Sequence, residues 1–214
     1  MNNYDKARER MVREQLLTRN ISDPKVLDAL HMVPRHLFVE DALQGQAYGD
    51  FPLPIGEGQT ISQPYIVALM TQALELKGEE TVLEIGTGCG YQTAVLACIC
   101  EKVFSVERIK PLLVKARRLL DSLQILNVVC KVDDGTLGWP ENSPYDAIMV
   151  TAAGPDIPQP LIDQLKDPGR MVIPVGDRMS QQLIVVHKNG GQISTRTIEH
   201  VRFVSLIGNH GWQS

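Results

Sequence analysis

Thr81-Val82-Leu83-Glu84-Ile85-Gly86-Thr87-Gly88-Cys89-Gly90-Tyr91 is the stretch that decides the fold. Its first five residues are β-prone and mostly apolar, and they run straight into three glycines at alternate positions. A helix follows, carrying the apolar run of residues 94–100. Strand, glycine turn and helix in that order open a parallel α/β sheet. Gly86 allows a tight turn, Gly88 lets the backbone approach a ligand, and Gly90 lets the helix start close to the sheet. A dinucleotide fingerprint, G-x-G-x-x-G, requires glycine at position 91, where Tyr91 stands.

Working outward, the alternation continues. Val103-Phe104-Ser105-Val106-Glu107 reads as a second strand, and Pro111 opens a helix with Leu112, Ala116, Leu119 and Leu123 on one face. Val128-Val129-Cys130-Lys131-Val132, Ala147-Ile148-Met149-Val150 and Met171-Val172-Ile173-Pro174-Val175 are the next strands, with a short helix over 161–165. Helical stretches between strands imply right-handed βαβ units and a parallel sheet covered on both faces. Two β-prone runs, 182–188 and 192–203, flank Asn189-Gly190-Gly191, a hairpin turn signal, so the sheet should end in an antiparallel hairpin. Upstream, 5–19 reads as a helix burying Ala7, Met11, Val12 and Leu16, and a second helix starts at Pro24 under a Ser22 or Asp23 cap. Residues 45–63 read as loop, and a third helix opens at Pro64. The expected architecture is one α/β domain over 1–214, with a helical cap and active-site segment in 1–78 and a ligand-binding core in 79–214.

Composition limits the alternatives. With 214 residues and 43% apolar content the chain suits one well-buried domain. A net charge of −4 and only 5% aromatic residues argue against an extended nucleic-acid surface, which needs basic excess and stacking platforms. The longest uninterrupted apolar run is seven residues, against roughly 20 for a membrane span. Met1 to Arg10 has no hydrophobic stretch and does not read as a secretory signal. Cys89, Cys98, Cys100 and Cys130 include no C-x-x-C pair, which fits reduced thiols and a cytoplasmic location. The five histidines show no metal-ligand spacing, so no metal is expected. Phosphate-loop, zinc-protease and nucleophile-elbow motifs are absent from the sequence.

In open α/β sheets ligands bind beyond the carboxyl ends of the strands. Three acids stand there: Glu84 before the glycine turn, Glu107 at the end of the second strand, and Asp134-Gly135 just after the third. Glu107, 21 residues after Gly86, can accept hydrogen bonds from both ribose hydroxyls of an adenosine. Asp134 can accept from the adenine amine, with Gly135 leaving room for the base. Singly, each has a plainer reading as a loop acid or a turn pair. Together, at three successive strand ends beside G-x-G-x-G, they mark an adenosine-type site of the kind that holds S-adenosylmethionine.

Val82 to Ala94 resembles the cofactor motif of protein-L-isoaspartate O-methyltransferases. More specific to that family is Gly58-Gln59-Thr60-Ile61-Ser62-Gln63-Pro64-Tyr65, similar to its G-Q-T-I-S-x-P segment. The likeness continues through Val106-Glu107-Arg108, Asp134-Gly135-Thr136, Tyr145-Asp146-Ala147-Ile148 and Gly169-Arg170-Met171-Val172, to Val201-Arg202-Phe203-Val204-Ser205-Leu206. It implies a Rossmann-like methyltransferase sheet, S-adenosyl-L-methionine as cofactor, and S-adenosyl-L-homocysteine as product. The implied reaction is methylation of the free carboxylate of L-isoaspartyl residues in damaged polypeptides, by a monomer that binds neither nucleic acid nor membrane. Ser62 would be the active-site serine, with Thr60 and Ile61 lining the pocket against cofactor and substrate. Glu84, Gly86, Thr87, Gly88 and Gly90 would hold the methionine part, Glu107 with Arg108 the ribose side, and Asp134 with Gly135 the adenine. Val204, Ser205 and Leu206 would hold the peptide in extended form.

Four positions depart from the family pattern: Cys89 for Ser, Asp133 for Gly, Asp167-Pro168 for Pro-Gly, and Ser205 for Pro. Ser205 touches the expected substrate edge, and Asp167-Pro168 lies in a turn where a structural effect alone is expected. A carboxylate has a pKa of about 4 and is already an anion at neutral pH, so attack on a sulfonium methyl needs no general base. Ser62, two residues before Pro64, can offer its hydroxyl near a helix start that favours anions; the plainer reading makes Ser62 or Gln63 the helix cap. Two other readings compete. One keeps the methyl donor with a small-molecule or RNA acceptor, and the other is a non-catalytic adenosine-binding module.

Overall fold

The computed structural model describes residues 3–213, so Met1, Asn2 and Ser214, at the ends of the expected domain, lie outside the described residues. The chain begins with α1 (Asn3–Met11), which winds on through a wider turn over Val12–Leu16 and a tighter one over Leu17–Arg19. Met11, Val12 and Leu16 are buried as the periodicity predicts, and Ala7 is partly buried. Helix α2 (Pro24–Met32) starts under Asp23, whose carboxylate accepts from the Lys25 amide at 2.9 Å. The 45–63 stretch is not all loop. It contains a small antiparallel hairpin, β1 (Leu53–Gly56) and β2 (Gln59–Ile61), before α3 (Pro64–Ala73).

The core follows as β3 (Thr81–Ile85), α4 (Tyr91–Ala97), β4 (Lys102–Glu107), α5 (Lys110–Ser122), β5 (Val128–Val132), β6 (Tyr145–Val150), α6 (Gln159–Asp163), β7 (Leu165–Gly176), β8 (Gln181–Asn189) and β9 (Gln192–Val201). Strand order across the sheet is β5-β4-β3-β6-β7-β8-β9. The first five strands in that order pair in parallel, and β7-β8-β9 form the antiparallel end. Connections leave β3 toward β4 on one side, while β6 lies on the other, so the order reverses beside β3. That reversal is where a doubly wound sheet leaves a crevice.

Alternate residues of β3 enter opposite cores. Val82 joins the face covered by the cap, with Leu16, Leu30, Ala94 and Val103. Leu83 and Ile85 join the other face, with Phe104, Ile148 and Met171. The cap is therefore packed into one of the two sheet cores. Arg170 on β7 adds polar ties to it, pairing with Glu75 at 2.5 Å and donating to the Leu74 carbonyl at 3.3 Å.

Candidate active site

A cavity of about 330 Å³ opens at the carboxyl ends of β3, β4 and β6, within the size range of small-molecule sites. The core contributes Gly86, Thr87, Gly88, Glu107, Arg108 and Gly135 to its wall, and the cap contributes Ile55, Thr60, Ile61 and Ser62. Val204, Ser205 and Leu206 close a third side.

The glycine turn is built for close approach. Gly86 has φ +96°, and a Cβ there would collide with the Thr151 hydroxyl. Gly90 has φ +90° and a Cβ there would sit 3.2 Å from Ala116 on α5, so its role is to let α4 pack on α5; it does not itself line the cavity. Glu107 is buried at 6% exposure. Its Oε2 accepts from the Gly88 amide at 2.9 Å and its Oε1 from the Ile109 amide at 2.8 Å. Two backbone donors fix the carboxylate at the cavity rim and leave each oxygen a lone pair to accept from a ligand.

Two of the expected cofactor carboxylates, Glu84 and Asp134, do not line this cavity. Glu84 is fully buried beneath the turn, where its Oε2 accepts from Thr93 Oγ1 at 2.5 Å and Ser105 Oγ at 2.6 Å. At 2.6 Å Thr87 Oγ1 and Ser105 Oγ share a hydrogen bond, linking the cavity wall to the buried acid. Burial pushes the Glu84 carboxyl up to about 7. Its two bonds tie α4 to β4 beneath the glycine turn. Asp134 faces the tail of the chain. Its Oδ1 accepts from the Thr136 amide at 2.9 Å and hydroxyl at 2.7 Å, and its Oδ2 from the Asn209 amide at 2.7 Å. Gly135 remains at the wall, pressed so close to Ile85 that a Cβ would collide with it.

Ser62 is half-buried and its hydroxyl has no partner among the described residues. Gln63 occupies the cap position of α3 without a side-chain cap bond, and its amide turns to Asp50 at 2.8 Å. The serine is thus left to the cavity. Behind it, Arg35 donates from Nη2 to the Ser62 carbonyl at 2.7 Å. At the third side, Ala153 donates to the Val204 carbonyl and accepts from the Leu206 amide, both at 2.8 Å. Those bonds point the Val204 carbonyl and Leu206 amide at Ala153 and leave the Ser205 N–H and C=O facing away, unpaired among the described residues. The third departure, Asp167, is explained as well: its carboxylate accepts from the Gly190 and Gly191 amides at 2.8 and 2.6 Å, clasping the β8–β9 turn.

Sequence reasoning missed Thr151, Gln92 and Tyr91, all on the cavity wall. Thr151 follows directly on the end of β6 and donates to the Gly86 carbonyl at 2.7 Å; the strand-end rule that found Glu107 would have found it too. Gln92 and Tyr91 carry no such signal, because each sits in the first turn of a buried helix.

A parallel sheet with a small-molecule cavity at its reversal point, a glycine turn and an acid fixed at the cavity rim define a Rossmann-like, S-adenosylmethionine-dependent methyltransferase. A solved protein-L-isoaspartate O-methyltransferase superposes with a TM-score of 0.87 at 30% identity, covering 95% of this chain and 67% of that one. A Plasmodium falciparum protein named for the same activity, solved in complex with S-adenosyl-L-homocysteine, gives 0.82 at 26% identity over 98% of this chain and 100% of that one. The sequence model of protein-L-isoaspartate(D-aspartate) O-methyltransferases matches residues 6–211. Protein-L-isoaspartate O-methyltransferase 1 of Syntrophobacter fumaroxidans is 56% identical over 100% of both chains, and the enzyme of Trichlorobacter lovleyi is 56% identical over 100% of this chain and 99% of its own. The chain belongs to the protein-L-isoaspartate(D-aspartate) O-methyltransferase family. It is an enzyme that uses S-adenosylmethionine to methylate L-isoaspartyl residues in proteins, which begins their repair.

Proposed function

We propose that the cavity holds the two reactants at opposite ends, with Glu107, Arg108 and the Gly86–Gly88 turn on the cofactor and Thr60, Ile61, Ser62 and Ser205 on the acceptor. The observation that carries this reading is the pairing of a carboxylate fixed by two backbone amides with an uncommitted serine hydroxyl in one cavity. The bound cofactor supplies an electrophilic sulfonium methyl. Ser62 donates its hydroxyl to the isoaspartyl carboxylate, and the first amides of α3 add the positive end of a ten-residue helix. Ser205 pairs one N–H and one C=O with the extended peptide, as a short added strand. Ile55, Ile61 and Val67 exclude water from both charged partners. No proton has to move, so orientation and desolvation are the sources of rate.

The same reading extends to the setting. Among the described residues no helix is long and apolar enough to cross a membrane. A net charge of −4 supports an enzyme that avoids nucleic acid. Four free cysteines support a reducing cytoplasm. A monomer belongs to the same reading. The test offers labelled cofactor to an isoaspartyl peptide and to its normal aspartyl twin. The expected result is a base-labile methyl ester on the first alone, and equal labelling of both overturns the acceptor assignment. Ser62→Ala is expected to lower kcat while calorimetry with S-adenosyl-L-homocysteine shows unchanged affinity, and Glu107→Ala is expected to weaken that affinity. Turnover of Ser62→Ala at the unmodified rate removes the serine from the site.

A further inference from the structure

Arg35 lies on the short turn Arg35–Phe38 of the cap, 0% exposed. Its Nε donates to the Ala47 carbonyl and its Nη2 to the Ser62 carbonyl, each at 2.7 Å. The guanidinium carbon stands 4.8 Å from the centre of the Tyr91 ring, and Tyr91 lines the cavity. Arg35 Nη1 and the Tyr91 hydroxyl are both sealed from solvent in this corner, and the hydroxyl interacts with the guanidinium. No carboxylate among the described residues pairs with the guanidinium.

A guanidinium keeps its proton in a protein. Removing it from water is costly, and buried arginines are ordinarily matched by a carboxylate or phosphate. Here the chain offers two carbonyls and the ring and hydroxyl of Tyr91, all of them neutral. A staple between Ala47 and Ser62 would need two neutral donors and no charge. The unmatched charge stands one residue behind the wall that faces the acceptor, and the acceptor brings a carboxylate. The cation that lines the cavity itself, Arg108, adjoins Glu107 in sequence, at the end proposed for the cofactor.

We infer that Arg35 is a positioning residue for methyl transfer, anchoring Ser62 from behind the cavity wall and giving that wall the positive charge that draws an anionic acceptor. This rests on the placement of the acceptor carboxylate beside Ser62. It adds a specificity element that never touches the substrate. The cation polarises the Ser62 peptide unit it holds, and it acts through a poorly screened interior.

The test compares Arg35→Lys, Arg35→Gln and Ser62→Ala, reading KM and kcat for an isoaspartyl peptide and, separately, calorimetric Kd for S-adenosyl-L-homocysteine. Arg35→Gln is expected to raise the peptide KM about tenfold and to lower kcat, with product Kd within about twofold of the unmodified protein. Arg35→Lys, which keeps the charge and one bond, is expected to recover most of the KM. Unchanged KM in Arg35→Gln alongside a crippled Ser62→Ala overturns the inference and leaves the site reading intact. Unmodified kinetics in both variants overturns the two together. A parallel loss of product affinity and acceptor affinity in Arg35→Gln also overturns it, since a general loosening of the cap does that. A second arm uses the unmodified protein, and so holds even where Arg35→Gln does not fold. The isoaspartyl peptide, saturating with S-adenosyl-L-homocysteine present, is expected to bind about tenfold tighter than the same peptide with that carboxylate amidated. Equal affinity shows a wall without charge preference and overturns the inference together with the placement of the carboxylate beside Ser62, whereas the Arg35→Gln and Ser62→Ala comparison separates the two.

Discussion

A carboxyl group sealed inside a parallel sheet is badly served as an anion, and Glu84 is in that position. Two hydroxyls favour its charged form, but desolvation outweighs them, and the charge of Glu107 pushes the same way. The folded protein therefore holds a proton on Glu84 up to about pH 7, whereas the unfolded chain releases it near the ordinary 4.5. Between those values the unfolded state binds fewer protons, so this residue makes stability fall as pH rises. From pH 5 to 7.5 the expected loss is about 2 kcal/mol. Urea unfolding of Glu84→Gln, which cannot ionise, should show a flatter profile over that window; parallel profiles would show that Glu84 does not set the slope. The sequence marked Glu84 as the acid of the glycine motif but not its direction. Both faces of β3 are covered, so alternation along the strand does not say which face meets a ligand. Glu107 was legible because it is the last residue of its strand, where the next peptide leaves the sheet.

Most elements were written in punctuation that physical chemistry reads directly. Proline opens α2 and α3, and lies second in α5, because its fixed φ suits the first turn and its missing N–H is not needed there. The hairpin β8–β9 was legible from Asn189-Gly190-Gly191. The small hairpin β1–β2 was not, although Leu53 and Ile55 are buried and Pro54 and Gly56 exposed in strict alternation. Four residues of period two are a weak signal among so many prolines and glycines. The clasp on the β8–β9 turn was illegible too, because it joins positions 23 and 24 residues apart. Asp167 is exposed and accepts from both turn amides, so Asp167→Ala should cost about 1 kcal/mol. The expected result is a lowered Tm and faster amide exchange at Gly190 and Gly191, with S-adenosyl-L-homocysteine affinity unchanged. Unaltered exchange at those two amides would show that the carboxylate does not hold the turn.

At the scale of the molecule, cap and core share a cavity and a hydrophobic interior. Ile61 and Val67 of the cap and Val82, Ala94 and Val103 of the core lie in one buried cluster. The boundary near residue 78, drawn from sequence because periodicity changes there, marks a change of architecture without an interruption in packing. Trp139 and Trp212 both belong to the core, while helices stand in both parts. Tryptophan fluorescence and far-ultraviolet circular dichroism should therefore report the same urea midpoint. An earlier transition by dichroism would show the cap unfolding alone.

The tail after β9 has a genetic consequence. Residues 204–212 supply the Ser205 edge, unpaired among the described residues, and Asn209 and His210 donate to Asp134 and Thr136 beside Gly135 on the cavity wall. Trp212 Nε1 closes the run on the Ala153 carbonyl at 3.1 Å. A premature stop codon just after β9 would spare every strand of the sheet, yet it would strike acceptor and cofactor at once. In this gene the mildest-looking nonsense allele should behave as a null.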